Sequence, residues 1–187
     1  DWHPLKFIDR DLYFQLDEKG DYVSQCCGNL LDLDNEHVQQ YVIESLKYWM
    51  LEYHIDGFRF DQAHLLSLET AELISNELRS INPGVIIYGE AWDNRSEEFS
   101  EIEWGSFNAY FRDVIRGDLH NFEQKGFLFG SYRPNEDKGD LKSIIAGTSK
   151  ISGGVYKRPH HAINFLEVHD DYCFSDFLRL SSGENKK

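Results

Sequence analysis

Three carboxylates in this 187-residue chain each stand at the end of a short apolar run: Asp61 after "GFRF", Glu90 after "IIYG", and Asp170, paired with His169, after "INFLEV". Runs of this kind read as strands buried in a parallel α/β sheet, whose C-terminal ends line one rim where ligands bind. A carboxylate is costly to hold at such a rim without a partner or a task. Arg59 lies two residues before Asp61, on the same face of its strand, and supplies a partner. Metal binding and structural ion pairs also use strand-end carboxylates. The chemistry that calls for this whole set is glycoside hydrolysis, with one carboxylate as nucleophile or base and another as general acid. Glu90, beside Gly89 and with Trp92 two residues on, has the apolar setting in which a general acid keeps its proton. Asp61, beside Arg59, is the better nucleophile. Trp92 and the aromatic residues near the rim suit the stacking of sugar rings.

The elements that must position these residues are legible in the spacing of apolar positions. "DNEHVQQYVIESLKYWMLEYH" places Val38, Tyr41, Val42, Leu46, Trp49 and Tyr53 at helical intervals, with Asp34 or Asn35 as N-cap. "IDGFRFD" follows as a strand, and "SLETAELISNELRSI" as a second helix capped by Ser67 and stopped at "NPG". "VIIYGE" reads as a strand buried on both faces. "FNAYFRDVIRG" and "GDLKSIIAGT" read as helical, and "HAINFLEVHDD" as a strand running into polar residues. Helix and strand alternate, which predicts parallel strands joined by helical crossovers. The opening stretch to about Leu33 shows no sustained period and reads as a long loop. About three strands emerge, whereas a closed eight-stranded barrel needs about 250 residues.

Composition limits the partners. With 41% hydrophobic and 14% aromatic residues the chain is globular, and its net charge of −14 repels phosphate backbones and anionic lipid surfaces. Neither nucleic acid nor membrane is expected as a partner, and the first residues lack the layout of a signal peptide. Cys26, Cys27 and Cys173 form no disulfide or metal-ligand pattern; they read as ordinary thiols and favour a reducing, cytoplasmic compartment. Acidic loops leave Ca²⁺ open, but none has the ligand spacing of an EF-hand. No metal site and no organic cofactor are expected.

The wording of the motifs narrows this reading. "DGFRFD", "YGEAW" and "INFLEVHDD" resemble, in order, three conserved regions of the α-amylase superfamily of glycoside hydrolases. "CGNLLDLDNEHVQQYVIESLKYWMLEYHIDGFRFD", "ETAELISNELRSINPGVIIYGEAWD", "FNAYFRDVIRGD", "KGFLFG" and "VHDDYCFSDFLRLSSG" resemble its debranching members, type I pullulanases above all, from Cys27 to Gly183. The resemblance implies Asp61 as nucleophile, Glu90 as acid/base and Asp170 as transition-state stabiliser. It further implies that Arg59 orients Asp61, that His169 hydrogen-bonds sugar hydroxyls, and that Trp92 is a stacking platform. Asn108 and Arg112 match the family's "FN...R". Asn108 is a substrate-binding candidate, and for Arg112 an ion pair with Asp113 is at least as well supported.

The implied fold is α/β, a partial (β/α)8 TIM barrel holding roughly strands four to seven, so that residues 1–187 form a fragment of one catalytic domain. The substrate class is α-glucan with α-1,6 branches, and the remaining barrel segments of a parent chain are the expected protein partner. Two departures stand out: Asp171 replaces the family's Asn after the His-Asp pair, and the family's first conserved region is absent. The same residues would serve an isoamylase or a glucanotransferase, and a sugar-binding remnant without turnover is the non-enzymatic alternative. His64 reads as a packed or solvated histidine at a helix start.

Overall fold

The computed structural model describes residues 3–25, 28–92, 95–130, 141–150 and 154–183. It divides into two compact units, one of residues 1–58 and 66–86, the other of residues 59–65 and 87–187. Cys26 and Cys27 lie outside the described residues; Cys173 is an exposed free thiol. Among the described residues no helix is long and apolar enough to cross a membrane.

In the first unit, the opening stretch is not a loop: it forms helix α1 (Leu5–Tyr13) and a two-residue hairpin, β1 (Ser24–Gln25) with β2 (Gly28–Asn29). Asp9 breaks α1 with extended backbone angles, so its apolar residues never build a helical period of useful length. Helix α2 (Glu36–Tyr53) starts where Asn35 accepts the amide of His37 at 2.9 Å and ends at His54 in the left-handed conformation. Helix α3 (Leu68–Ile81) is capped by Ser67, as the sequence predicts.

The apolar positions of α2 do not all face a core. Val38, Ile43 and Met50 are buried, whereas Tyr41, Trp49 and Tyr53 are exposed, Trp49 and Tyr53 lying on one another at 4.6 Å. The reason is rotation of the helix toward α3. Gln39 donates to Thr70 Oγ1 and Lys47 pairs with Glu77, so positions near 39, 43, 47 and 50 face that neighbour. From α3, Ile74 and Leu78 are sealed, each contributing about 1.5–3 kcal/mol through burial.

The sheet contains β3 (Gly57–Phe60), β4 (Ile86–Gly89), β5 (Gly105–Phe107) and β6 (Ala162–Ile163), hydrogen-bonded in that order. The pairing is parallel throughout: Ile86 and Glu90 donate to Asp56 and Phe60, Tyr88 stands opposite Gly105, and Ser106 opposite Ala162. The α/β class and its parallel sheet follow the expectation; among the described residues this sheet holds four strands, one more than the apolar runs mark. β5 has only three residues, too few to show a period, and β6 is shorter than "HAINFLEV" suggests. β4 is not buried on both faces, because Ile86 is 59% exposed while Ile87 is sealed.

In the second unit the side chains of β3 alternate as a strand requires. Phe60 packs on buried Trp104 at 4.7 Å, and Trp104 packs in turn on Phe99. Arg59 turns the other way and stands over the Phe107 ring at 5.6 Å. Helices α4 (Ser96–Glu101), α5 (Ala109–Arg116), α6 (Leu141–Ile145) and α7 (Phe174–Ser182) complete the unit.

Before β5, Glu103 accepts from Lys157 at 2.8 Å and from the ring of buried His161 at 3.2 Å. The Lys157 hydrogen bond, helped by that of His161, holds the Glu103 carboxyl down at about 2 against an ordinary 4.5. Burial pushes His161 below its ordinary 6.5. Both groups take up protons more readily in the unfolded chain, so both stabilise the fold at neutral pH. The His161 share is lost as pH falls below about 6.5 and the Glu103 share between about 4.5 and 2. Thermal midpoints followed from about pH 7 down to about pH 3 should fall in these two stages, and Glu103→Gln should shrink the lower one, leaving the share of Glu101, whose carboxyl the Lys150 hydrogen bond also holds down.

Candidate active site

Strand β3 delivers Arg59 and Asp61 to its C-terminal end, and the neighbouring β4 delivers Glu90 to the same end. The Arg59 guanidinium joins them. Its Nη1 donates to Asp61 Oδ1 at 2.5 Å and its Nη2 to Glu90 Oε1. The two carboxylates differ in setting: the Glu90 side chain is 10% exposed and that of Asp61 60%. One cation therefore compensates a buried and an open carboxylate together, and its planar fork fixes their separation.

The backbone finishes the placement of Glu90. Gln62, at a left-handed φ of 46°, donates its amide to Glu90 Oε2 at 3.1 Å. The Glu90 amide donates to Phe60 O, and its carbonyl accepts from the amide of His64. His64 opens no regular helix; it lies in a short 3-10 turn, Ala63–Leu65, its ring Nδ1 3.3 Å from the same carbonyl. Arg95 Nη1 reaches back to His64 O at 2.5 Å, strapping the turn after Asp61 to the loop after Glu90. Spacing marks neither Gln62 nor Arg95 as part of this assembly, because one acts through its backbone and the other across a loop.

Gly89 explains the glycine in "YGEAW". A Cβ built there comes within 2.5 Å of Ala63 Cβ and 3.1 Å of Phe60 O, so β4 approaches the turn closer than any side chain allows. Gly89→Ala should cost about 1–3 kcal/mol of stability by overpacking and displace Glu90, its immediate neighbour. A thermal midpoint at the wild-type value would contradict this.

The other candidates fall in different places. Trp92 is half-buried just beyond Glu90. His169 and Asp170 contact each other at 3.4 Å and are both well exposed; among the described residues no hydrogen bond or ion pair joins them to Arg59, Asp61 or Glu90. Asp171 adopts a left-handed φ of 64°, which Asn and Asp tolerate better than other non-glycine residues, so its exchange for the family's Asn preserves the turn. Asn108 is 2% exposed and its amide is engaged: it caps α5 through Phe111 N and donates to Thr148 Oγ1 and Asn164 Oδ1. Arg112 pairs with Asp113 at 2.6 Å. Glu103, His160 and His161 bring three donor atoms within 4.8 Å of one another. Lys157 and Arg158 already share that carboxylate, and His161 Nδ1 is buried without a partner that would orient a ligating ring, so the group is an ion-pair cluster.

No family model matches the chain. Individual relatives do. It is 28% identical over 167 residues to a pullulanase of Bacillus subtilis, covering 82% of this chain and 23% of that one. It is 28% identical over 189 residues to a glycogen operon protein GlgX homolog of Haemophilus influenzae, covering 96% and 27%. The crystal structure of pullulanase from Paenibacillus barengoltzii in complex with maltohexaose and α-cyclodextrin superimposes with a TM-score of 0.81 at 26% identity, covering 96% of this chain and 30% of that one. The chain thus spans about a quarter of the length of the curated relatives it matches. Ordered motifs, the parallel sheet that carries them and these likenesses agree: the chain is similar in sequence and fold to the debranching enzymes of the α-amylase superfamily.

Proposed function

We propose that the chain carries the catalytic strands of a retaining glycoside hydrolase that cleaves α-1,6 branch linkages in α-glucans. The observation that carries this reading is the single Arg59 guanidinium holding Asp61 and Glu90 at the ends of neighbouring parallel strands. Carboxylates sharing one fork stand close together, which suits the roughly 5–5.5 Å of a retaining pair better than the roughly 6.5–9.5 Å of an inverting one. Asp61, the open carboxylate, attacks the anomeric carbon. Glu90 gives its proton to the departing glycosidic oxygen as the C–O bond breaks, leaving a glycosyl ester on Asp61. Glu90 then takes a proton from water, whose oxygen attacks the same carbon and frees Asp61. Asp170 stabilises the positive charge of the transition state, His169 hydrogen-bonds sugar hydroxyls and Trp92 stacks on a ring. The reaction needs no organic cofactor.

Residues 1–187 act on this reading as part of one catalytic barrel whose other strands come from the parent chain, and the segment alone does not turn over substrate. The relatives' greater length supports this. The deciding experiment is product analysis of the full-length parent on pullulan and on linear maltodextrin, with Glu90→Gln as control. Maltotriose from pullulan, an intact linear chain and an inactive variant establish debranching of the pullulanase type. Cleavage or rearrangement of the linear chain moves the assignment to an amylase or glucanotransferase using the same residues.

A further inference from the structure

Arg116, the last residue of α5, is 2% exposed, and among the described residues no carboxylate forms an ion pair with it. A cation buried without an ionised partner at contact distance is expensive, so its retention needs a reason. The described contacts of its guanidinium lead to one segment. Nη1 donates to Leu166 O at 2.6 Å, three residues before His169, and the guanidinium carbon stands 4.5 Å from the ring of Phe177, which is sealed in α7 just beyond that segment. Between these two points, the Glu167 carboxylate accepts the amide of Phe174, the first residue of α7.

The 166–173 stretch is therefore a loop pinned at its base, where it enters α7. Its middle holds exposed His169 and Asp170 and left-handed Asp171, and the next residue, Tyr172, rests edge-on against Phe122 at 5.7 Å. The charges acting on Arg116 fit this arrangement. Burial and neighbouring Arg112 push its pKa below the ordinary arginine value, while Asp113, Asp171 and Glu167 act in the opposite direction. Two of these three acids belong to the pinned segment, and Asp171 is the extra charge that replaces the family's Asn.

We infer that Arg116 is a positioning residue for the His169–Asp170 pair, clamping the base of the loop that brings the stabilising carboxylate to the substrate. The inference rests on the proposed function for what Asp170 does, but the clamp itself is tested separately. Its own contacts are with a carbonyl and a ring, so it acts through the loop and not on the sugar.

The test uses the full-length parent with Arg116→Met and Arg116→Lys, read by steady-state kinetics on pullulan, thermal unfolding, and amide hydrogen exchange at residues 166–172 and 87–90. Arg116→Met should lower kcat by about 10- to 100-fold, the effect of misplacing a reacting group by about 1 Å, with KM within about threefold. Exchange should quicken at 166–172 and stay unchanged at 87–90. The thermal midpoint should stay near wild type, because one lost hydrogen bond is offset by relief of a buried cation. Arg116→Lys, which can still reach Leu166 O but has no planar fork, should recover part of kcat. Unchanged kcat, or a parallel fall of kcat and midpoint with faster exchange everywhere, overturns the inference in favour of an ordinary packing role. If the wild-type parent does not hydrolyse pullulan, the proposed function falls, and unaltered exchange at 166–172 in Arg116→Met would remove the clamp as well.

Discussion

Asp61→Ala in the full-length parent is expected to lower kcat on pullulan by about 10⁴-fold or more, equivalent to at least about 5 kcal/mol of lost transition-state stabilisation. On the proposed mechanism Asp61 forms the covalent bond, and its carboxylate neighbour Glu90 is held in a separate place by Arg59 and the Gln62 amide. Added azide separates this role from a merely structural one. In Asp61→Ala the vacated space admits azide, which attacks an activated α-glucosyl donor directly and gives the β-glucosyl azide. In Glu90→Ala the same donor still loads Asp61, and azide then intercepts the ester to give the α-glucosyl azide. The two variants should thus yield opposite anomers. The same anomer from both, or no rescue in either, would show that the roles of nucleophile and acid/base are wrongly divided.

How the site was legible depends on what each residue contributes. Asp61 and Glu90 can be found in the sequence because a carboxylate ending an apolar strand is costly enough to demand an explanation, and Arg59 because strand alternation puts it on the same face. That Arg59 reaches Glu90 as well as Asp61 follows only from β3 lying beside β4, which no local pattern encodes. Gln62 contributes a backbone amide and Gly89 an absence of side chain; neither residue type announces such a role. The fold divides in the same way. Helices α2 and α3 are long and capped by Asn35 and Ser67, so both period and end signals exist. Strand β5 has three residues, and α1 is broken at Asp9, so no period builds up in either. The face that α2 presents to its neighbour is a tertiary matter: several rotations of an aromatic-rich helix satisfy the same spacing, and the contacts of Gln39 and Lys47 with α3 select one.

The Arg59 bridge carries the second large effect. Arg59→Met leaves Glu90, 10% exposed, and Asp61 without the guanidinium that holds both, so nothing fixes their separation. The carboxylates can then separate, share a proton or admit water, and each outcome disorders the pair at the moment of attack. A fall in kcat/KM of about 10²- to 10³-fold is expected, in the range for loss of one preorganised electrostatic contact in a catalytic site. Arg59→Lys is the sharper experiment, because it keeps the charge and discards the geometry. A guanidinium offers two nitrogens held rigidly in one plane, one for Asp61 and one for Glu90, whereas an ammonium is a single point that must choose between them or sit between both. If the fixed separation of the carboxylates is what matters, Arg59→Lys should recover no more than about tenfold of the loss. Recovery to near wild-type rates would mean that Arg59 acts as a bulk positive charge, and the argument for a retaining pair drawn from its fork would then fail even with both carboxylates correctly assigned.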